Sequence, residues 1–218
     1  MGSPAYEQAF KIGTTESVSN PYTISVPYPA ATRYKAGETL DFAVILFGNA
    51  GIYGPDFVKA ANDMCHEKLM NCTLANSELV FDRVWSDAGA ENIPLCDEVL
   101  IKFMTPTEIL VKKQAVCEID FEAFVDSLFG RIADVINNYT DGEFVIPYAL
   151  VARKPFVTAE YDIAPIAFLT SGQPINGFVG EIKYTGGITR YLPYIDLGSQ
   201  IHIGKKTTRA CGKYSFET

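Results

Sequence analysis

Phe121-Glu-Ala-Phe124-Val125-Asp-Ser-Leu128-Phe129-Gly-Arg131-Ile132-Ala-Asp-Val135-Ile136-Asn-Asn-Tyr139 repeats large apolar residues at steps of three and four over five turns, with Glu122, Asp126 and Asp134 between them. That period belongs to an amphipathic helix with one buried face. Asp120 stands where an N-cap is needed, and Asn137-Asn138 with Asp141-Gly142 marks the end. Such a helix needs an apolar surface to cover, and the flanking segments supply strands.

Upstream, Leu40-Asp-Phe-Ala-Val-Ile-Leu-Phe47 reads as a buried strand closed by the glycine-rich stretch Gly48 to Pro55. Pro55 suits a first helical position, and Phe57, Ala60, Ala61, Met64, Cys65 and Leu69 follow at helical spacing. Glu78 to Trp85 and Glu98 to Met104 are further strands, and Gly177 to Tyr184 alternates as another. Counted from Leu40, the order is β, α, β, β, α, β. It matches the α+β ferredoxin-like unit, whose two helices cover one face of a four-stranded antiparallel sheet. Tyr22 to Val26 is a short strand before it, and Gly198 to Tyr214 a glycine-bounded basic hairpin or loop after it.

Composition excludes several classes. At 218 residues, 48% hydrophobic and 20% charged, the chain buries a full core for one large domain or two small ones. A net charge of −8 argues against indiscriminate binding to nucleic acid or anionic membrane, so any polyanion site must be local. No apolar run approaches the roughly 20 residues that span a bilayer, and the N-terminus carries no secretory pattern. Five cysteines without a C-x-x-C pair, and His66 and His202 as the only histidines, predict a reducing cytoplasmic setting, no disulfide framework and no metal site. Phosphate-loop, nucleophile-elbow and zinc-protease motifs do not occur.

The charge is unevenly placed. From Lys183 to Lys213 the chain holds Lys183, Arg190, Lys205, Lys206, Arg209 and Lys213 against the single acid Asp196, a net +5 that leaves −13 for the remainder. In His202-Ile-Gly204-Lys205-Lys206-Thr207-Thr-Arg209-Ala-Cys-Gly212-Lys213, glycines allow close backbone approach to an anion, while lysine, arginine and threonine supply charge and donors. The same residues fit a hairpin whose lysines guard a sheet edge. His202, with an ordinary pKa of about 6.5, suits proton transfer or a phosphate contact at neutral pH, while the sequence favours a structural polar contact.

Taken in order, Pro21-Tyr22-Thr-Ile, Tyr34 to Ala50, Phe103-Met-Thr105-Pro106, Phe121 to Leu128 with Arg131-Ile132, Gly177 to Tyr184, and Leu197-Gly198 before His202 to Thr208 resemble the CRISPR repeat-processing endoribonucleases of the RAMP superfamily. The resemblance runs from about Pro21 to the C-terminus. It implies a ferredoxin-like domain with a glycine-rich C-terminal loop that holds CRISPR repeat RNA. The RNA-binding residues it implies are Gly204, Lys205, Lys206, Thr207, Arg209, Gly212 and Lys213, with Lys183 and Arg190 beside them.

It further implies processing of precursor crRNA without metal or cofactor: a 2′-hydroxyl attacks the adjacent phosphate, leaving a cyclic phosphate. That chemistry needs a base, an acid and cationic support for the phosphorane-like charge. Lys205, Lys206 and Arg209 fit the last role, and His202 is the one catalytic candidate. Relatives carry a preceding half that often supplies the catalytic histidine. Residues 1–20 are therefore expected to be a leader or the remnant of that half, and 21–218 the C-terminal domain, which leaves open whether this chain cleaves by itself. The implied partners are repeat RNA and other CRISPR effector subunits, with a homodimer also open. A non-catalytic scaffold that docks protein partners is the alternative role for the same fold.

Overall fold

Glu98–Thr107 (β3) alternates strictly: Val99, Ile101, Phe103 and Thr105 are buried, whereas Leu100, Lys102 and Met104 point the other way. A strand so patterned has one face on a core and one toward solvent. The computed structural model describes residues 19–27, 34–66, 73, 76–80, 95–152, 155–170 and 172–218. Within them β3 lies between Gln173–Gly186 (β7) and Tyr214–Glu217 (β8), both antiparallel to it, and Val157–Thr170 (β6) pairs with the far side of β7. The sheet order is β6-β7-β3-β8.

Both long helices of this half serve that sheet. Phe121–Tyr139 (α2), capped by the Asp120 carboxylate accepting from the Ala123 amide at 2.8 Å, buries Phe121, Phe124, Val125, Leu128, Phe129, Ile132 and Val135. Leu192–Ile201 (α4) packs beside it, with the Tyr194 ring 5.0 Å from Phe129, and the buried Tyr214 hydroxyl donates to the Ile195 carbonyl at 2.6 Å. Phe103 at the sheet's centre meets Phe178 at 4.9 Å, Tyr214 at 6.0 Å and Phe124 at 6.4 Å. These edge-on and tilted contacts each add to burial.

β3, α2, β6, β7, α4 and β8 thus form the expected βαββαβ unit, but from different segments than the sequence order suggests. The strand at Leu40 to Phe47 does not join this sheet: its core, Ala43–Leu46 (β2), pairs antiparallel with Tyr22–Ser25 (β1). Gly54–His66 (α1) follows it, with Pro55 in the first turn as expected. Residues 78–80 of the expected strand Glu78 to Trp85 are not in a strand, and 81–85 lie outside the described residues. So do residues 1–18 of the expected leader. Gly198 to Tyr214 is the end of α4 plus a loop, not a hairpin.

The open sheet face is electrically paired. Lys102 meets Glu217 at 2.8 Å and Glu181 at 3.6 Å, and Lys183 meets Glu98 at 2.8 Å. Two lysines against three glutamates leave these groups net negative, so they offer little attraction to a polyanion. Among the described residues no helix is long and apolar enough to cross a membrane.

Gly198 is where α4 comes nearest its neighbours, since a Cβ there would strike Leu128 Cδ1 and the Tyr214 hydroxyl. Gly198→Ala is expected to cost about 1–3 kcal/mol by overpacking. A thermal melt reads this as a loss of roughly 2–4 °C per kcal/mol for a chain of this length.

Candidate nucleic-acid interface

α4 ends at Ile201, and from there the backbone turns left-handed five times, at His202 (φ 58°), Gly204 (76°), Lys206 (62°), Ala210 (61°) and Gly212 (77°). Three of these residues carry a Cβ, so tertiary bonds must hold them there. The bonds run to the end of β3. The Lys205 amide donates to the Glu108 carbonyl at 2.9 Å, that of Gly212 to the Pro106 carbonyl at 3.0 Å, and that of Lys213 to the Thr105 hydroxyl at 2.9 Å. The Met104 amide donates to the Lys213 carbonyl at 2.9 Å, and the Ile203 amide closes the loop on the Gly212 carbonyl at 3.0 Å. The glycines permit this approach: a Cβ at Gly204 would sit 2.5 Å from the Glu108 carbonyl oxygen, and one at Gly212 would strike that of Ile203. The loop's amides at 203, 205, 212 and 213 therefore bind protein, not an anion.

Its cations divide by what they touch. Lys206 Nζ donates to Glu108 Oε2 at 2.7 Å and to the Pro174 carbonyl at 2.8 Å, and Glu108 Oε2 also accepts from the Asn176 amide at 3.2 Å. With side chains only 19% and 13% exposed, this pair ties the loop to the β6–β7 hairpin. Lys213 Nζ donates to Ser25 Oγ at 2.6 Å, fastening the loop to β1, which also packs against the turn Thr207–Arg209. Thr207 is buried in that turn. Lys205 is exposed, and its side chain makes no ion pair among the described residues. Gly204 to Lys213 are thus brought together, while Lys183 is on the open sheet face and Arg190 is exposed in the turn Thr189–Tyr191 just before α4, about 18 Å along the helix axis from His202.

His202 is 1% exposed, with Nδ1 3.2 Å from the Cys211 carbonyl. Burial pushes its pKa down to about 4, with Lys213 and Arg131 adding to the fall and the Cys211 contact opposing it. The ring is neutral at pH 7 and serves as a spacer inside the loop.

Two features escaped sequence reasoning. Arg131 on α2, 6% exposed, donates through Nε to the Ile201 carbonyl at 3.4 Å and lies 5.7 Å from the Phe47 ring centre. It meets a carbonyl that the end of α4 leaves unsatisfied, and burial lowers its pKa to about 10. Next to Glu108, Ile109–Val111 (β4) and Gln114–Val116 (β5) form a hairpin whose two-residue turn is Lys112-Lys113. The adjacent lysines are visible in the sequence, but no turn residue announces their geometry.

A family model described as CRISPR-associated endoribonuclease Cas6 matches residues 101–214, just over half of the chain, from β3 through the loop. The chain belongs to the Cas6 family. A second model, described as an N-terminal domain, matches residues 2–98. A Cas6 product complex is similar at 16% identity and a TM-score of 0.64, covering 99% of this chain and 87% of that one. Thermus thermophilus Cas6 is similar at 15% identity and a TM-score of 0.59, with 99% and 85% covered. A Cas6-RT-Cas1–Cas2 complex aligns at 15% identity and a TM-score of 0.61 over 98% of this chain and 26% of that one. At these identities the likenesses establish the Cas6 fold. No curated protein matches the chain.

The folded pKa of His202 lies below its ordinary 6.5, so the unfolded chain binds the extra proton between about pH 6.5 and 4. Stability from this group is complete above pH 6.5 and is lost as pH falls, by about 2 kcal/mol at pH 5. Urea titrations at pH 7 and 5 should show this loss in the wild type and its absence in His202→Gln.

Proposed function

We propose that this Cas6 family member binds CRISPR repeat RNA and takes part in cutting precursor crRNA, with the loop from Gly204 to Lys213 as the backbone-contacting element. The observation that carries this reading is the family match over residues 101–214, which runs from within β3 through α2, β6, β7, α4 and the loop to the first residue of β8. The similar structures include a Cas6 product complex, which supports RNA as the ligand. The Cas6-RT-Cas1–Cas2 complex supports other CRISPR proteins as partners; the proposed setting is the cytoplasm.

The loop's parts then take distinct roles. Lys205 is exposed and able to approach a phosphate, while Lys206 and Lys213 hold the loop's shape through Glu108 and Ser25. A 2′-hydroxyl gives up its proton as it attacks the neighbouring phosphorus, which forms the O–P bond of a cyclic phosphate and breaks the bond to the 5′-oxygen, and the 5′-oxygen takes up a proton. Charge builds on the non-bridging oxygens, and a fixed ammonium there stabilises the transition state more than the ground state. Neutral, buried His202 neither donates nor accepts a proton in this scheme; it positions the loop.

Repeat RNA incubated with the chain in EDTA should be bound, and cut to a product ending in a 2′,3′-cyclic phosphate. Lys205→Ala should leave the melting temperature unchanged, weaken binding several-fold and reduce the salt slope by about 0.7–0.9. Lys206→Ala should weaken binding and also lower the melting temperature, because it strands Glu108 at 13% exposure. No binding by the wild type at low salt contradicts the reading.

A further inference from the structure

We propose that the tip of the β4–β5 hairpin, Lys112-Lys113, is a second contact for the RNA phosphate backbone beside the glycine-rich loop. The proposal rests on the RNA-binding reading above and extends its footprint. Val111 pairs with Gln114, so the turn holds only Lys112 and Lys113, at φ 50° and 68°. Positive φ at both central positions is the type I′ turn, which asparagine and glycine satisfy without strain and lysine does not. This chain places two adjacent lysines there nonetheless. Both are exposed, and neither has an ion-pair partner among the described residues. The segment from Ile109 to Cys117 contains no acid, so the tip is a local positive point on a chain of net charge −8.

Its root fixes where that point lies. Glu108, just before β4, holds the Lys206 ammonium through its carboxylate and the Lys205 amide through its carbonyl. After β5, the Cys117 thiol contacts the Gly177 carbonyl at 3.8 Å. Four residue steps of extended chain lead from Glu108 to Lys112, so the start of the tip lies at most about 13 Å from the loop's anchor. A polyanion strand on Lys205 is long enough to reach it. The contact is to phosphate and independent of base sequence, because ammonium groups on an exposed turn present no bidentate reader.

Separating charge from turn shape tests this. Lys112→Asn with Lys113→Gly removes both charges and relieves the turn; Lys112→Gln with Lys113→Gln removes the charges and keeps the strain. The first is expected to melt roughly 2–4 °C higher than wild type, the second not. Both should bind CRISPR repeat RNA and poly(U) about tenfold more weakly at 0.1 M salt, with the salt slope smaller by about 1.5. Wild-type affinity and slope in either variant overturns the proposal, as does a loss confined to one of them. A wild type that binds neither RNA overturns the RNA-binding reading itself, and this proposal with it.

Discussion

The backbone pairing of the loop with Met104 to Glu108 is the constraint on which the C-terminal half depends. Five bonds run between the loop and residues 104–108, and the Glu108–Lys206 ion pair lies at one end of them. They continue the β8 side of β3 past its last pair with that strand, Phe103 with Tyr214, and they set where α4 ends and where β8 begins. A half-buried carboxylate and ammonium hold such a place only together, since removing either strands the other. The left-handed residues between His202 and Gly212 are the conformational cost of that pairing.

The electrostatic consequence is a division of labour among cations that composition treats as equal. Lys102 and Lys183 are matched by glutamates across the open sheet face, and Lys206 and Lys213 are bonded inside the structure. Lys205 and the hairpin lysines remain directed to solvent. The +5 of the Lys183 to Lys213 segment therefore overstates what a phosphate strand meets there. The effective surface instead gains Lys112 and Lys113 from a segment that the sequence view had assigned to the acidic remainder.

Much of the fold was legible because period and capping are local. The helix from Phe121 to Tyr139, its Asp120 cap and the strands at Glu98 and Gly177 were visible in this way. β6 was not, since Pro165 breaks the strand pattern; it is tolerated because β6 is a sheet edge. α4 was hidden by Gly198, which reads as the boundary of a loop but serves as a close-packing point, while Pro193 takes a first-turn position. Missing β6 and β8, the sequence order recruited the Leu40 strand to complete a six-element unit whose class was right. At the site, residue types were visible and their directions were not: Lys206 finds its partner 98 positions away, and the burial of His202 follows from the loop folding back on β3.

The loop is built in the RNA-free chain, held by its bonds to residues 104–108. Hydrogen exchange of the amides of Ile203, Lys205, Gly212 and Lys213 in the RNA-free protein tests this directly. They are expected to exchange as slowly as the central amides of β3, opening only with the sheet. Exchange near the rate of an unstructured chain would contradict it, and would make the loop a segment that RNA orders.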